Sequence, residues 1–267
     1  LAHSCNSPSL GARPCAQRPR AMVNRVPQGE ASRKPAASSR LCAAGGRRFR
    51  PRVLALDCEM AGTGPRGKKS VLVRLTLVGR RGSVVMDCLV RPDVEITDWR
   101  TAITGIDESS FSDGSSGSIP LPSEILSVED AIERANALLD DAVIVGHDLR
   151  HDFKQLRRFH QRRVLLRDTA FCPILRAALS RSRAGPPSLN ALVQEWLDDF
   201  SFRDTGTHSS IEDARAAMLL YRLVAPQWEA YSRKKFGELP ASVLEPVPRK
   251  RRSISRSGPL PAKRRPL

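Results

Sequence analysis

Asp57 and Glu59 stand one residue apart inside an otherwise apolar run, Val53-Leu-Ala-Leu-Asp-Cys-Glu-Met60. Side chains two apart on a strand project to the same face, so the two carboxylates would lie side by side with Cys58 turned away. Two neighbouring anions in such a run raise their pKa unless a cation neutralises them. A hard divalent ion meets that need, because it takes carboxylate and phosphate oxygens. A third acid, Asp152, lies in Val145-Gly-His-Asp-Leu-Arg-His-Asp-Phe-Lys-Gln-Leu156, with Asp148 as its rival four residues earlier. His208 and a fourth acid, Asp213, complete the set in His208-Ser-Ser-Ile-Glu-Asp-Ala214. Four carboxylates and one histidine are what hydrolysis of a phosphodiester by two divalent metals requires.

Each position also has a plain structural reading. Asp57 and Glu59 could mark a strand end emerging into solvent. Asp148 or Asp152 would be favourable at a helix amino end whatever its chemistry. Asp213 could be the capping-box partner of Ser210. The alternative cap, Ser209 with Glu212 as box partner, leaves Asp213 to face a metal, and the pattern as a whole selects it. His208 then stays in the preceding loop, with an imidazole suited to taking a proton near neutrality.

The elements that must position these groups follow from periodicity and punctuation. Val53–Met60 is short and evenly apolar and reads as a buried strand. Val71–Val78 reads as a second strand, Gly79–Gly82 as a turn, and Val84–Val90 as a third, giving an antiparallel meander. Ser127 with Asp130 opens a helix to about Leu139. A short strand Val143–Gly146 precedes a helix over Arg150–His160, and Val164–Leu166 is a last strand ending at Arg167-Asp168. Helices are expected near Phe171–Leu179, Leu189–Trp196 and Ile211–Val224, with Pro226 starting a final one to Phe236. Strands followed by alternating helices and strands make an α/β layout.

Charge separates the chain into three parts. Residues 1–52 carry 11 Lys and Arg against one acid, and residues 238–267 carry 8 against 2, whereas residues 53–237 hold 25 of each sign. The net charge of +16 therefore lies wholly in two Pro-, Ser-, Gly- and Ala-rich arms around a neutral body. Such arms are expected to be disordered and to attract phosphate backbones. Arg249-Lys-Arg-Arg252 and Lys263-Arg-Arg265 have the spacing of a bipartite nuclear-import signal. The Arg- and Ser-rich amino arm also suits an organellar transit peptide, the alternative address. The chain opens on Leu1, so its amino end is expected to be a fragment or to lie upstream of Met22. The six cysteines form no C-x-x-C pair, which fits a reducing compartment. No apolar run is long enough to span a bilayer.

Leu56-Asp-Cys-Glu-Met60, Gly62-Thr-Gly-Pro65, Thr97-Asp-Trp-Arg-Thr101 with Gly105-Ile106, Arg167-Asp-Thr169 and His208-Ser-Ser-Ile-Glu-Asp-Ala214 resemble the DEDDh branch of the proofreading-type 3′→5′ exonucleases. Within it they look like the RNA exonuclease 4 group, which also holds the interferon-stimulated exonuclease and the apoptosis-enhancing nuclease. The resemblance covers roughly residues 53–237. Ala61 stands where the group usually has Val, Asp113–Ser118 looks like a local insertion, and His151 replaces a common Asn.

The resemblance implies a ribonuclease H-like fold, a mixed five-stranded sheet flanked by helices, as an exonuclease domain between the two basic arms. It implies two divalent ions, Mg²⁺ or Mn²⁺. One would be bound by Asp57, Glu59 and Asp213 and activate a water whose proton His208 takes. The other would be held chiefly by Asp57, with Asp152 supporting through water, beside the leaving 3′-oxygen. Met60 and Arg100 match positions near the terminal nucleotide; Met60 as core filler and Arg100 as a surface ion-pair partner are the plain alternatives. Asp168 is read as a structural partner. The implied activity is release of nucleoside 5′-monophosphates from single-stranded nucleic acid, RNA favoured and DNA the alternative, by a monomer in the nucleus or nucleolus, working on pre-ribosomal particles. A non-catalytic ribosome-assembly factor is the rival of another class, and retention of all five catalytic residue types argues against it.

Overall fold

The apolar run around Asp57 does form a strand, in a computed structural model that describes residues 49–112, 122, 124–159, 161–179, 185–199, 202 and 206–246. The amino arm to residue 48, the insertion after residue 112 and the tail from residue 247 with both basic clusters lie outside the described residues. In chain order the elements are β1 (Phe49–Pro51), β2 (Val53–Thr63), β3 (Lys69–Gly79), β4 (Val84–Arg91), β5 (Ile96–Asp98), the one-turn α1 (Thr101–Thr104), β6 (Ile125–Ser127) and α2 (Val128–Leu139). There follow β7 (Val143–Gly146), α3 (Arg150–Gln155), β8 (Leu166–Asp168), α4 (Pro173–Ala178), α5 (Leu189–Leu197), α6 (Ser210–Phe236) and β9 (Leu244–Pro246).

The main sheet has the order β6-β4-β3-β2-β7-β8, with β5 added at the far end of β2. β2, β3 and β4 make the expected antiparallel meander. β7 then joins β2 in parallel, and β8 joins β7 in parallel. The five expected strands run together from β4 to the edge strand β8 in a seven-stranded mixed sheet; β5 and β6, three residues each, are too short to show a period. Even apolarity along β2 has a direct cause, because both its faces are covered. Val53 and Ala55 pack with α5 and α6, whereas Leu54 and Leu56 pack with α2. Asp57 and Glu59 continue the first of these two series.

Three helices depart from expectation. α3 stops at Gln155 because Arg157 takes a left-handed conformation, φ 54°, and the Arg158 amide turns back to the Phe153 carbonyl at 2.8 Å. α4 begins at Pro173, after a 3₁₀ turn over Thr169–Phe171, since proline suits the first helical position. Pro226 does not start a new helix: α6 runs unbroken for 27 residues. Proline removes one backbone donor and crowds the carbonyl four residues back. Here Pro226 and Arg222 are both exposed, so water satisfies that carbonyl. Ser127 caps α2 as expected, its Oγ accepting from the Asp130 amide.

Ordered structure continues past residues 53 and 237. β1 pairs antiparallel with β9, Phe49 opposite Pro246, and the Arg52 amide donates to the Val243 carbonyl at 2.7 Å.

Candidate active site

β7 pairs with β2 only over Val53–Ala55, and β5 takes up that edge again only at Gly62 and Thr63. Between them β2 runs on with β3 on its other side, past the end of β7, at the point where the sheet order changes direction. Ligands in open α/β sheets bind at such a switch point, beyond the carboxyl ends of the strands. Gly146 allows the approach: a Cβ there would stand 3.0 Å from the Leu56 carbonyl oxygen and 2.3 Å from Leu149 Cδ2.

Asp57 and Glu59 stand on this stretch of β2, and Asp213 meets them from the first turn of α6. One carboxylate oxygen from each of the three lies within 4.8 Å of the others. Glu59 and Asp213 are almost wholly buried, at 5% and 3% exposure. Three carboxylates so close repel one another by roughly 3 kcal/mol per pair at an effective dielectric of 20. An all-oxygen, anionic donor set is the kind that hard divalent ions occupy. Ser209 does hold the N-cap position, accepting the Asp213 amide on its carbonyl at 2.9 Å, but its hydroxyl makes no capping bond. The expected capping box is therefore not formed; the Ser210 hydroxyl turns inward to Thr76 Oγ1 at 2.7 Å.

His208 lies in the loop before α6, its Nδ1 3.8 Å from Asp213 Oδ2 and its side chain about a third exposed. Its backbone is tied down rather than loose, because the amide donates to the Ile103 carbonyl at 2.6 Å. Asp152, in the first turn of α3, is buried at 7% exposure and stands outside the group of three. Burial pushes its carboxyl up to about 7, against bonds from the Cys58 thiol and amide that favour the charged form. Cys58 does point away from Asp57 and Glu59, and toward Asp152; burial first, then the Asp152 charge, holds its thiol well above the ordinary range. The rival Asp148 is engaged by Arg150 at 2.7 and 2.9 Å, which draws its carboxyl down. Asp168 accepts the amides of Asp148, Leu149 and Ala170, so it pins the turns after β7 and β8.

Met60, half-buried, follows Glu59 at a β-bulge. The Arg100 guanidinium donates to the Met60 carbonyl, the Gly67 carbonyl and Ser70 Oγ at 3.0–3.3 Å. Three of its five donors thus hold the loop after β2 in place, a contact neither plain alternative anticipated.

The profile of the RNase T family, an exonuclease family, matches residues 54–221. The chain belongs to this family. RNA exonuclease 4 of Kluyveromyces lactis is 37% identical over 184 residues, 69% of this chain and 57% of that one. RNA exonuclease 4 of Saccharomyces cerevisiae is 34% identical over 183 residues, 68% and 58% of the two chains. The apoptosis-enhancing nuclease of Homo sapiens is 36% identical over 176 residues, 66% and 50%. The chain spans less than two thirds of the length of these relatives. Among solved structures, the Saccharomyces cerevisiae apo Pan2 pseudoubiquitin hydrolase–RNA exonuclease module in complex with AAGGA RNA superposes with a TM-score of 0.54 at 25% identity, covering 69% of this chain and 30% of that one. The Neurospora crassa Pan2 catalytic unit gives 0.53 at 24% identity, covering 69% and 28%. The fold is the ribonuclease H-like fold of these exonuclease domains.

One feature of the sheet beneath this cluster was not expected from the sequence. Arg74, fully buried on β3, makes a two-point ion pair with Asp87 of β4, both bonds at 3.0 Å. Thr76 adds a bond to the same carboxylate at 2.8 Å. The signal was there in Val71-Leu-Val-Arg-Leu-Thr-Leu-Val78: two polar residues at period two break the strand on the face that carries Asp57 and Glu59.

Proposed function

We propose that this chain is a metal-dependent 3′→5′ exonuclease releasing nucleoside 5′-monophosphates from single-stranded RNA. The observation that carries the proposal is the convergence of Asp57, Glu59 and Asp213 from two elements into one cluster with oxygens within 4.8 Å. That donor set fits a divalent ion: it is hard and anionic, with Glu59 and Asp213 buried and Asp57 half-buried, and it lies at the strand-order switch point, where ligands of open α/β sheets bind. Asp57, Glu59 and Asp213 would hold one ion, and Asp57 with Asp152 a second. Bound Mg²⁺ or Mn²⁺ would supply a water of lowered pKa and charge to offset the leaving oxygen.

The remaining roles belong to the chain itself. His208, beside Asp213 and open to solvent, accepts the proton of the attacking water. Water oxygen bonds to phosphorus, the bond from phosphorus to the 3′-oxygen breaks, and the shortened strand departs with a 3′-hydroxyl. Asp152 is a carboxyl that burial raises to about 7, and a nearby cation would favour its charged form. Met60 and Arg100 border the place of the terminal nucleotide and are proposed as its sugar or base contacts. RNA is favoured by the names of the relatives and by the RNA complex of the Pan2 module.

The proposed organisation is an exonuclease domain that extends from the expected 53–237 to residues 49–246, where β1 pairs with β9, with the basic arms on either side binding RNA backbone. The chain would act as a monomer in the nucleus, in the nucleolus on pre-ribosomal particles, with the clusters at Arg249–Arg252 and Lys263–Arg265 as import signal. Among the described residues no helix is long and apolar enough to cross a membrane.

Matched 3′-labelled single-stranded RNA and DNA oligonucleotides test the activity. Labelled mononucleotide should appear with Mg²⁺ or Mn²⁺, faster from RNA, and cease on chelation. Persistence of the activity in excess chelator would remove the metal reading, and preference for DNA would remove the substrate reading.

A further inference from the structure

The sheet face beneath the amino end of α6 is polar, and its polar groups are joined. Asp57 pairs in register with Thr76, Glu59 with Arg74, and Thr76 with Asp87. Residues directly opposite share a face, so three neighbouring strands present Asp57, Glu59, Arg74, Thr76 and Asp87 together. Arg74 and Thr76 are buried to within 1% of completely. Arg74 grips both oxygens of Asp87, and the Thr76 hydroxyl donates its one proton to Asp87 Oδ1. Thr76 therefore accepts on its oxygen from the Ser210 hydroxyl, 2.7 Å away. Ser210 opens α6 and is itself fully buried. One turn later the same helix delivers Asp213.

A buried ion pair is an expensive way to fill a core, since apolar residues of similar volume serve stability as well or better. β3 shows that this strand can do so: Leu75 and Leu77, on its other face, are plain core. The polar chain lies instead where the two elements that carry the carboxylate cluster meet. It ties β3, which lies beside Glu59, and β4 beyond it to the first turn of α6, which carries Asp213. It also sets a cation across the strand from Glu59, where like charges crowd.

We propose that Arg74, Asp87, Thr76 and Ser210 form a positioning relay that docks the first turn of α6 on β3, beside β2, and holds Asp57, Glu59 and Asp213 at metal-binding separation. The relay touches neither the ion nor the substrate; it acts through the ligands. The inference rests on the metal reading of that cluster. Groups that orient metal ligands are typically worth 10–100-fold in metal affinity.

Ser210→Ala isolates the link to α6, and Thr76→Val cuts it together with the bond to Asp87, both with little change of shape; they are tested singly and together in the full chain. Mn²⁺ binding is measured directly by calorimetry or by the paramagnetic resonance of free Mn²⁺, beside the metal-free melting temperature and the kcat and KM for a short RNA. Each variant should bind Mn²⁺ about 10-fold or more weakly, melt within a few degrees of wild type without metal, and keep its KM for RNA. Its kcat should return at saturating Mn²⁺. The double variant should be no worse than Thr76→Val alone, because that change already removes the bond that Ser210→Ala cuts, and Thr76→Ser should keep affinity near wild type. Arg74→Lys, which keeps the charge but loses the two-point grip, should also weaken Mn²⁺ binding. Unchanged Mn²⁺ affinity in Thr76→Val and Ser210→Ala overturns the relay, as does a loss of kcat that excess Mn²⁺ leaves unrepaired. If the wild-type chain itself binds no Mn²⁺, it is the metal reading that fails.

Discussion

At the scale of single residues, Asp57 and Asp152 sit under opposite constraints. Asp57 must be charged beside two other carboxylates, so Asp57→Asn relieves repulsion while removing a proposed bridging ligand. Turnover should fall at least about 10³-fold, the scale of losing a principal electrostatic group, with the metal-free melting temperature equal or higher. A folded variant releasing mononucleotides at near wild-type rate would show that Asp57 binds no essential ion. Asp152 is lifted by burial to about 7, above its ordinary value near 3.9. The metal-free folded chain therefore keeps a proton that the unfolded chain has already released. Its contribution to stability is complete below about pH 4 and declines as pH rises toward about 7. Melting of the metal-free protein should lose ground across that window, and Asp152→Asn should flatten the slope; parallel slopes would mean the carboxyl is already ionised. His208→Ala should slow turnover about 10²–10⁴-fold, with partial recovery at alkaline pH where hydroxide replaces the base, and with metal affinity unchanged. An unaltered rate at neutral pH would make His208 a bystander. Asp57 with Glu59 and Asp213 with His208 were legible because each pair is local in sequence. The Arg74 to Asp87 pair was not, since its partners lie across a hairpin, and Cys58 facing Asp152 needs the geometry of two separate elements.

At the scale of elements, β2 does most of the positioning. Its overrun carries Asp57 and Glu59 past the end of β7, and its alternation sends them to α6 and Cys58 to α3. Long apolar or amphipathic stretches such as β2, β3, β4, α2 and α5 were readable, because their periods are sustained by burial on one or both faces. The failures have local causes. β5 and β6 are held by neighbours rather than by any pattern of their own, and a left-handed Arg157 ended α3 without a glycine to announce it. Pro226 misled for a different reason: a helix anchored by Tyr221, Val224, Ala225 and Trp228 on one side tolerates a missing bond on the other. That tolerance is measurable. Pro226→Ala should add one backbone hydrogen bond on the exposed face and stabilise the chain by roughly 1–3 kcal/mol in urea unfolding, with turnover unchanged. Destabilisation would mean that the proline shapes α6 in a way its neighbours need.

At the scale of the whole molecule, charge and chemistry are segregated, and removing the arms should separate them. The cut belongs at 49–246 rather than 53–237, because β1 pairs with β9 and Val243 is fully buried. Residues 1–48 and 247–267 together hold 17 Lys and Arg and one acid, and none of the five proposed catalytic residues. Cleavage of a short oligonucleotide at saturating concentration should therefore survive in the trimmed chain. Binding to long RNA should weaken and lose its salt dependence, since each single-strand phosphate contact contributes about 0.7 to the log–log slope. A trimmed chain that keeps the full slope would place the phosphate contacts on the neutral body. Suspicion would then fall on the basic group after α3, but unevenly. Arg157 and Arg158 already face Glu129 and Asp140 at 3.2 and 2.8 Å. Arg162 and Arg163, both exposed, would be the pair to replace next, and a slope lowered only by their loss would trace the strand past α3 rather than along the arms.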